Sequence, residues 1–388
     1  MYDAIVVGAR CAGSPTAMLL ARAGRRVLLV DRAEFPSDTL STHYIHQSGV
    51  ASLERWGLLP RIAAGGAPPI RDYTLDVGPF ALHGAPPPLG DVADAYCLRR
   101  TVLDEILVDA AAAAGAEVRL SCPVDGLALE DGRVTGIRSR GRTERARVVI
   151  GADGVSSLVA RDAGAPAYDD HGTLTCAYYT YWSGVPMDGA ELYLRDGNVI
   201  VAAPTNDGQV VTIVFWPREE FHAVRADVEG HFMRALNRAP GLAERVRDAT
   251  RADRFRGTSR LPNFYRRPYG DGWALVGDAG YHKDPILALG IGDAFRDAEL
   301  LAGAIETGDL AGYERRRNEL SADGFQRTLD FARLQPPPPL MQELFAALRH
   351  SAPDRDRLFG TLAGTVAPKE FFAPDNIARI LVPLAGAA

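Results

Sequence analysis

The sequence is poor in lysine, because only Lys283 and Lys369 occur among its 43 basic residues. The formal net charge of -6 leaves no excess of positive charge, whereas binding to the phosphates of a nucleic acid needs a concentrated basic face. A nucleic-acid partner is therefore excluded. The preference for arginine, with abundant alanine, glycine and proline, is typical of a GC-rich bacterium and says little about function.

Cysteine pairs and long apolar runs are also missing. The four cysteines, Cys11, Cys97, Cys122 and Cys176, form no C-x-x-C pair, which argues against a disulfide framework and against a metal site. No apolar run reaches the roughly 18 residues that a membrane-spanning helix needs. A strand pattern begins directly after Met1, so we expect no leader peptide. We expect a cytoplasmic protein without a membrane span.

The length and composition suit a protein of two domains. The chain has 388 residues, with a hydrophobic content of 47% and a charged content of 24%. These values are those of a globular protein that can bury a large core. No internal repeat is visible.

The first part of the chain predicts a βαβ unit. Residues 4–7 form a short apolar run typical of a buried parallel strand, and residues 14–23 have the periodicity of a helix. Residues 26–30 form a second buried strand that ends at Asp31. In such units the ligand binds at the carboxyl ends of the strands.

The turn between the first strand and the helix carries the fingerprint of a dinucleotide site. Gly8 permits a tight turn, Gly13 allows the helix to pack closely on the strand, and Asp31 can accept hydrogen bonds from a ribose. The pyrophosphate would lie on the N–H groups at the helix N-terminus. Arg10 replaces the middle glycine of G-x-G-x-x-G, and its side chain either contacts the pyrophosphate or crowds it.

Farther along the chain the buried strands give way to alternating ones. Residues 170–256 predict an antiparallel sheet with one face covered, interrupted by one helix at 228–237. A buried strand at 273–276 and a long helix at 292–307 follow. The proline run at 336–339 is a stiff break before short C-terminal helices.

Two further segments match a flavoprotein pattern in the expected order. Residues 148–157, VVIGADGVSS, resemble the DG motif, and residues 277–292, GDAGYHKDPILALGIG, resemble the GD motif. With the N-terminal fingerprint, they make residues 1–330 similar to the para-hydroxybenzoate hydroxylase superfamily. This superfamily includes class A flavin monooxygenases, geranylgeranyl-type reductases and flavin-dependent halogenases. The resemblance implies FAD as the cofactor, and we expect it to bind non-covalently.

The resemblance also implies roles for residues of the cofactor site. Asp278 would hold a ribityl hydroxyl, and Arg99 or Arg100 would approach the phosphate or ribityl region, with Arg100 the better match to the R-x-x-L spacing. The N–H groups at residues 290–292 would face the pyrimidine edge of the flavin, which becomes anionic on reduction. The cofactor residues that we expect are Gly8, Ala9, Arg10, Cys11, Ala12, Gly13, Asp31, Arg32, Thr42, Arg99, Arg100, Val124, Asp153, Gly277, Asp278, Pro285, Gly290, Ile291 and Gly292.

Several positions depart from the hydroxylase pattern. Ile286 and Leu287 stand where hydroxylases usually carry a Thr-Gly pair, and the pair Asp284-Pro285 looks more like reductases and halogenases. The W-x-W-x-I-P signature of tryptophan-type halogenases is absent, and no lysine precedes Lys283. Because there is no second G-x-G-x-x-G, NAD(P)H is expected to bind only transiently, unless a separate flavin reductase supplies the electrons.

Three residues near the predicted cofactor site are candidates for catalysis: His43, His282 and Lys283. His282 or Lys283 could donate a proton or stabilise negative charge beside the flavin, although a solvated loop would also explain both residues. His43 follows the second strand, where a flavin or substrate contact and simple helix capping are equal alternatives.

An aromatic stretch predicts a strand that faces the substrate. Residues 178–182, YYTYW, alternate like a strand, so one face would point inward. Ordinary sheet packing explains each residue singly, but as a set these side chains indicate an apolar or aromatic substrate. The pocket candidates are Tyr179, Tyr181, Phe215, Trp216, His46 and Tyr281.

The sequence therefore predicts an α/β fold with a Rossmann-like FAD-binding domain, an inserted antiparallel β-sheet substrate domain and a short C-terminal helical region. The FAD-binding domain is expected at residues 1–65, 97–165 and 257–335, the substrate domain at 66–96 and 166–256, and the helical cap at 336–388.

The expected activity is that of an FAD-dependent monooxygenase that uses NAD(P)H and O₂ to oxygenate a hydrophobic or aromatic small molecule. The alternative is a geranylgeranyl-type reductase of carbon–carbon double bonds, supported by Asp284-Pro285. A flavin-dependent halogenase is less favoured. A non-catalytic binding protein would be expected to have a degraded cofactor site, whereas the elements Gly8/Gly13/Asp31, Asp153-Gly154 and Gly277-Asp278 are all present.

Overall fold

The predicted α/β fold is confirmed in a computed structural model that describes residues 1–385. The strands, in chain order, are β1 (Tyr2–Val7), β2 (Val27–Val30), β3 (Tyr44–Ile45), β4 (Tyr73–Asp76), β5 (Ala81–Gly84), β6 (Tyr96–Cys97), β7 (Glu117–Arg119), β8 (Gly126–Glu130), β9 (Arg133–Ser139), β10 (Arg142–Gly151), β11 (Ala167–Thr173), β12 (Thr175–Ser183), β13 (Ala190–Arg195), β14 (Asn198–Pro204), β15 (Gln209–Pro217), β16 (Thr250–Arg251), β17 (Arg256–Thr258), β18 (Pro262–Arg266), β19 (Tyr269–Gly270), β20 (Trp273–Leu275) and β21 (Tyr281–His282). The helices are α1 (Gly13–Arg22), α2 (Gln47–Arg55), α3 (Leu59–Ala63), α4 (Arg100–Ala113), α5 (Leu158–Asp162), α6 (Phe221–Ala226), α7 (Val228–Leu236), α8 (Pro240–Arg247), α9 (Gly290–Thr307), α10 (Leu310–Ala332), α11 (Pro339–Leu348), α12 (Ala352–Ala363), α13 (Pro368–Phe371) and α14 (Pro374–Ala385).

The Rossmann-like part is a sheet with the strand order β19-β20-β10-β1-β2-β7, and its pairings from β20 to β7 are parallel. Apolar side chains such as Leu29 and Phe295 join one face to α1, α4 and α9, and the hairpin β8-β9 covers the other face. Strands covered on both faces need continuous apolar sequence, which β1 and β2 provide. The carboxyl ends of β1, β2 and β10 therefore meet at one edge.

A second sheet has the order β16-β12-β15-β14-β13-β4-β5, with β17 also paired to β12. It is antiparallel, as predicted, except where β13 runs parallel to β4. Successive side chains point to opposite faces, so Tyr181 and Phe215 join one apolar cluster whereas Trp182 and Trp216 join another. We call the face that carries Tyr181 the inner face and the opposite one the outer face.

The outer face is covered by α6, α7 and α8, which pack through side chains such as Phe232 and Leu242. The sequence analysis predicted one helix in this region, and that prediction was wrong in number, although α7 lies where the helix was expected. The other two helices have six and eight residues. Such short segments contain too few turns for an apolar stripe to be distinguished from a loop.

The inner face is covered by the C-terminal helices. Phe345 and Leu348 of α11, Phe359 of α12 and Phe371 of α13 belong to the same buried cluster as Tyr181. The proline run predicted as a break lies between α10 and α11. The C-terminal helices thus form a roof over the sheet.

Two absences apply to residues 1–385. None of their helices combines the length and the apolar character needed to cross a membrane. No group of three or more His, Cys, Asp or Glu side chains is arranged to hold a metal ion.

The roof can be tested at Phe359, which is 1% exposed and whose ring centre lies 5.8 Å from that of Tyr73. The change Phe359→Ala should lower the free energy of unfolding by about 3–5 kcal/mol, because it leaves a cavity between α12 and the inner face. Urea-induced unfolding followed by circular dichroism measures the loss. The control Leu340→Ala, at a position that is 55% exposed, should cost less than about 0.5 kcal/mol. Equal losses in the two variants would contradict this packing.

Candidate cofactor and active site

The turn after β1 leaves no room for a side chain at two glycines. Gly8 has a φ of +102°, and a Cβ there would lie 2.4 Å from the carbonyl oxygen of Ala152. A Cβ on Gly13 would lie 1.7 Å from the carbonyl oxygen of Gly8. The start of α1 has no side-chain cap at Ala12 and no acidic residue in its first turn. The N–H of Gly13 meets no backbone acceptor among the described residues and is therefore available to an anion such as a pyrophosphate, whereas Ser14 donates to the carbonyl oxygen of Arg10 at 3.0 Å and Pro15 has no N–H.

Asp31 connects this turn to the loop that follows β2. Its carboxylate accepts hydrogen bonds from the backbone N–H groups of Ala9, at 2.7 Å, and Ala33, at 2.8 Å. A carboxylate has about four acceptor positions, so ribose hydroxyls can bind to the remaining ones. Arg32, the neighbouring cofactor candidate, is exposed.

Arg10, which replaces the middle glycine, is turned towards α4. Its Nη1 lies 2.5 Å from Oδ2 of Asp104, and its Nη2 donates to Oγ of Ser37 at 2.9 Å. Arg100 donates to the other oxygen of Asp104 through Nε and Nη2, at 3.0 and 2.8 Å, and Sγ of Cys11 lies 3.5 Å from that oxygen. Sequence reasoning missed Asp104, although its i,i+4 spacing from Arg100 was a usable signal.

The structure separates the two arginines that the sequence left as alternatives. Burial by itself would lower the pKa of Arg100, but nearby groups that include Asp104 and Asp278 raise it. Arg100 is thus a buried cation within the electrostatic reach of Asp278. Arg99 points elsewhere, because its Cζ lies 4.1 Å from the ring centre of Tyr181.

We call residues 8–13 the glycine turn and residues 277–287 the GD turn, and the two turns pack directly on each other. Gly277 has a φ of +60°, and a Cβ there would lie 2.7 Å from Cβ of Ala12. Asp278 is exposed, and no donor within residues 1–385 reaches its carboxylate, so it can accept a hydroxyl of a bound cofactor. A small cavity of about 20 Å³ opens here, lined by Gly277, Asp278, Tyr281, Lys283, Gly290, Asp293 and Ala294.

The predicted flavin-facing residues Gly290, Ile291 and Gly292 form the first turn of α9. Gly290 is exposed and Ile291 is buried, while a Cβ on Gly49 of α2 would lie 3.2 Å from Cα of Gly292. The residue before the helix provides no side-chain cap. The N–H groups of this turn therefore remain available to a group with partial negative charge.

The segment around Pro285 ties the GD turn to the second sheet. The buried carboxylate of Asp284 accepts hydrogen bonds from Oγ1 of Thr175, at 2.5 Å, and from the N–H of Ile286, at 3.1 Å. Burial raises the pKa of Asp284 to about 6. We call the sheet edge at the carboxyl ends of β1, β2 and β10 the cofactor edge. Because Thr175 is the first residue of β12, this hydrogen bond joins the cofactor edge to the strand that carries the aromatic stretch.

Lys283 and His282 are both engaged within the protein. The ammonium of Lys283 pairs with Asp293 in the first turn of α9, and Arg296 pairs with the same carboxylate at 2.7 Å. Nδ1 of His282 contacts the carbonyl oxygen of Pro262. Lys283 lines the small cavity described above, whereas His282 lies on β21, which pairs with β18.

His43 occupies the space between the cofactor edge and the inner face. It is fully buried, with a φ of +62°, and its Nε2 lies 2.7 Å from the hydroxyl of Tyr181. No partner within residues 1–385 reaches its Nδ1. Burial, followed by the charges of Arg100, Arg99 and Arg256, lowers the pKa of His43 to about 3. The imidazole is therefore neutral at physiological pH.

Three of the pocket candidates share the inner face: Tyr179, Tyr181 and Phe215. Trp216 does not, because alternation along β15 turns it to the outer face, where its ring centre lies 6.3 Å from that of Phe232. The hydroxyl of Tyr179 is buried, and no partner within residues 1–385 reaches it. Burial raises the pKa of Tyr179 to about 12.

The other two pocket candidates have structural contacts. Nε2 of His46 lies 3.1 Å from the carbonyl oxygen of Leu287, its Nδ1 lies 3.4 Å from the hydroxyl of Tyr73, and burial lowers its pKa to about 4. These bonds link the start of α2 to the GD turn. Tyr281 stacks on Tyr265, with ring centres 5.1 Å apart, and lines the small cavity.

The remaining cofactor candidates surround the same edge. Oδ1 of Asp153 accepts from Oγ of Ser157 at 2.5 Å, and its Oδ2 accepts from the N–H of Leu158 at 2.7 Å, so it caps α5. Val124 and Thr42 are half-buried. Their roles towards a cofactor stay predictions.

Sequence reasoning also missed an ion cluster above Tyr181, formed by Arg99, Arg256, Asp38 and Asp253. Arg256 pairs with Asp253 at 3.1 Å and with Asp38 at 3.5 Å. Arg99 lies 3.9 Å from Asp38 and 4.0 Å from Asp253. We call these four residues the Arg99 cluster. No local motif marks it, because its members come from three distant segments.

The two sheets, the intact dinucleotide turn and the exposed Asp278 define a flavoprotein with a Rossmann-like cofactor edge. The chain belongs to the FAD binding domain family, whose pattern matches residues 1–313. Its cofactor is FAD, and it is an FAD-dependent oxidoreductase. The resemblance to the para-hydroxybenzoate hydroxylase superfamily is confirmed.

Two relatives match most of the chain. Digeranylgeranylglycerophospholipid reductase 2 of Methanopyrus kandleri is 30% identical over 360 residues, which cover 85% of this chain and 85% of that protein. The digeranylgeranylglycerophospholipid reductase of Methanothrix thermoacetophila is 29% identical over 352 residues, covering 84% and 86%. The bacterial origin expected from the composition stays a prediction.

Solved structures share the fold. A flavoprotein/dehydrogenase from Cytophaga hutchinsonii has a TM-score of 0.83 at 19% identity and covers all of both chains. The myxobacterial chondrochloren halogenase CndH has a TM-score of 0.78 at 21% identity, covering 98% of this chain and 97% of the halogenase. Pseudomonas aeruginosa PqsL, in complex with 2-aminobenzoylacetate, has a TM-score of 0.72 at 22% identity, covering 94% and 99%. At these identities the likeness shows the fold alone.

The role of Asp278 can be measured directly. Asp278→Ala should weaken FAD binding about 10-fold or more, because it removes a charged acceptor worth roughly 1.5–3 kcal/mol. Titration of the apoprotein with FAD, followed by flavin fluorescence, gives the dissociation constant. Asp271→Ala removes a carboxylate that is 65% exposed and paired with Arg133 at a surface turn, and it should leave FAD binding unchanged. Unaltered FAD affinity in Asp278→Ala would refute the assignment.

The depressed pKa of His43 predicts how stability depends on pH. Between about pH 6.5, its ordinary value, and about 3, its value in the fold, the unfolded chain binds a proton that the native protein does not. Stability should therefore fall as the pH falls through this window. Urea midpoints at several pH values should show a shallower fall in His43→Gln, whereas exposed His350→Gln should keep the wild-type slope. Equal slopes in all three proteins would rule out a buried neutral His43.

Proposed function

We propose that the protein is an FAD-dependent reductase of carbon–carbon double bonds in a hydrophobic small molecule. The observation that carries this proposal is the buried, uncharged pair of His43 and Tyr181 between the cofactor edge and the inner face. Reduction of a double bond requires a proton donor that is protected from water, and this pair supplies one. The proposal favours the alternative of the sequence analysis over the monooxygenase.

The reaction needs a hydride for one carbon and a proton for the other. FAD, once bound and reduced, supplies the hydride and its two electrons. The protein must supply the proton, because the surroundings are apolar and exclude water. Buried phenols that keep their proton at neutral pH meet this need, and Tyr179 and Tyr181 are such groups, while the neutral imidazole of His43 carries one N–H.

The lining of the inner face supports an apolar substrate. The GD turn contributes Ile286 and Leu287, which belong to the same buried cluster as the aromatic side chains of β12 and β15. A Thr-Gly pair at these two positions would make the cofactor edge more polar and more open. The names of the two relatives, which are reductases of an isoprenoid phospholipid, agree with an unsaturated hydrophobic substrate.

The reductant remains part of the proposal. NAD(P)H would reach the flavin transiently, since the sequence has no second G-x-G-x-x-G. A separate flavin reductase is the alternative electron source, and anaerobic addition of NADPH or NADH to the FAD-loaded protein distinguishes the two. Bleaching of the visible flavin spectrum would support direct reduction, whereas an unchanged spectrum would support a separate reductase.

A monooxygenase is the second candidate, because three aromatic side chains of the inner face, Tyr179, Tyr181 and Phe215, would suit an aromatic substrate. A closed apolar site also serves oxygen chemistry by keeping water out. Oxygen dependence separates the two functions. A halogenase is less favoured, because Asp284-Pro285 fits a halogenase as well as a reductase but the W-x-W-x-I-P signature is absent.

The test uses FAD-loaded protein reduced with one equivalent of dithionite under argon. Addition of geranylgeraniol or a cyclic enone should restore the oxidised flavin spectrum, and mass spectrometry should find a product with two added hydrogens. Tyr178→Phe, on the outer face of the same strand, should behave like the wild type. If the spectrum recovers only when O₂ is admitted and the product carries an added oxygen atom, the reductase proposal is wrong and the monooxygenase is correct.

A further inference from the structure

We propose that Tyr181 and His43 form a proton relay, in which the hydroxyl of Tyr181 protonates Nε2 of His43 while Nδ1–H of His43 delivers a proton to the substrate. The inference rests on the proposed function for the identity of the proton acceptor. It goes beyond that function in naming the donor atom, the path and the residue that carries the resulting charge.

The structure shows the hydrogen bond between Tyr181 and His43, whereas the contact from His43 to the substrate is part of the proposal. The 2.7 Å contact between the hydroxyl of Tyr181 and Nε2 of His43 is a short hydrogen bond between buried groups. In a neutral imidazole one nitrogen donates and the other accepts. If Tyr181 donates to Nε2, the proton of the imidazole is on Nδ1, which no group within residues 1–385 meets.

An unpaired buried N–H is unfavourable by roughly 1–3 kcal/mol, so such groups are rare unless a ligand completes them. Nδ1 of His43 belongs to a residue with no exposed surface. The hydroxyl of Tyr179 is buried in the same way, without a partner in the part of the chain that the structure describes, and its ring centre lies 5.6 Å from that of His43. Two buried polar groups without a partner among the described residues thus lie close together at the inner face, and the proposal places the substrate against them.

The surroundings favour a relay over simple donation by an imidazolium. Burial opposes a positive charge on the His43 ring, and the charges of Arg100, Arg99 and Arg256 oppose it as well. In the relay, His43 gains a proton at Nε2 as it loses the one at Nδ1. The imidazole therefore stays neutral throughout and only changes tautomer.

The negative charge is left on Tyr181, where Arg99 can stabilise it. The Cζ of Arg99 lies 4.1 Å from the centre of the Tyr181 ring. Burial raises the pKa of Tyr181, and the charge of Arg99 works against this rise. The guanidinium is held loosely, with its nearest partner Gln209 at 3.5 Å, so its charge is not neutralised by one close carboxylate. Arg99 acts through Tyr181 and is a positioning residue.

The proton that is given to the substrate must be replaced from solvent. Over one cycle the double bond would gain a hydride from the reduced cofactor and the Nδ1 proton of His43, which together amount to two electrons and two protons. Once the product has left, uptake of a solvent proton at Nδ1 and return of the Nε2 proton to Tyr181 would restore the starting tautomer of His43.

The relay is tested first without turnover, on FAD-loaded protein with ¹⁵N-labelled histidine. Two-dimensional NMR spectra should show one imidazole, identified by its loss in His43→Gln, that is neutral with its proton on Nδ1 even at about pH 5. Other charged or titratable groups that act on or contact this ring are Arg99, Arg100, Arg256 and Tyr179. Tyr181→Phe should shift the Nε2 signal or move the proton to Nε2. An imidazolium at about pH 6, or His43 signals that are unchanged in Tyr181→Phe, would overturn the relay.

The second measurement follows the dithionite-reduced protein as it is reoxidised by an alkene under argon. Tyr181→Phe should slow reoxidation about 100-fold or more, which is the usual contribution of a positioned acid. Most of the solvent deuterium isotope effect should also disappear. Tyr178→Phe should change neither quantity. Equal rates and isotope effects in Tyr181→Phe and the wild type would overturn the relay.

The role of Arg99 is tested in the same assay. Arg99→Gln should shift the pH profile of reoxidation to higher pH, and Arg99→Lys should restore it, because only the positive charge is needed. A merely structural role would give similar losses in both variants and no shift. If the wild type reduces no alkene, the proposed function fails, while the NMR result independently decides whether the relay geometry exists.

Discussion

A single buried carboxylate, that of Asp104, organises the cofactor side of this protein. An unpaired charge in that position would be strongly unfavourable, so Asp104 holds two guanidinium groups, those of Arg10 and Arg100. Arg10 thereby fastens the glycine turn to α4, and Arg100 stays charged near Asp278. The same charge on Arg100 contributes to keeping His43 neutral. One buried ion triad therefore fixes the glycine turn to α4 and adds to the burial that keeps His43 neutral.

The second sheet contributes through the alternation of its strands. Because successive side chains point to opposite faces, β12 and β15 place Tyr179, Tyr181 and Phe215 on the inner face. The C-terminal helices and the residues after Pro285 then cover these rings. The hydrogen bond between Thr175 and the GD turn holds the sheet against the cofactor edge. Phenol and imidazole groups thus lie in apolar surroundings close to the edge that carries the FAD motifs.

The motif residues were the most predictable part of the site, because a contiguous run fixes its own local geometry. Lys283 and His282 lie in such a run, yet neither is a free proton donor, since Asp293 and a backbone carbonyl engage them. Arg99 and Arg100 are adjacent in sequence, but the start of α4 sends their side chains to different partners. The sequence motifs therefore predicted where these residues lie, but they did not predict which side chains are free to react.

The sequence by itself determined the βαβ unit, the glycine turn with Asp31, the GD turn and the antiparallel sheet. All of these depend on local spacing and on periodicity, which tertiary contacts do not alter. Only the tertiary structure decided that His43 meets Tyr181, 138 positions away, and that Trp216 faces the other way from Phe215. Such pairings depend on the register of strands and on the packing of distant segments, because burial selects partners by shape and charge rather than by distance along the chain.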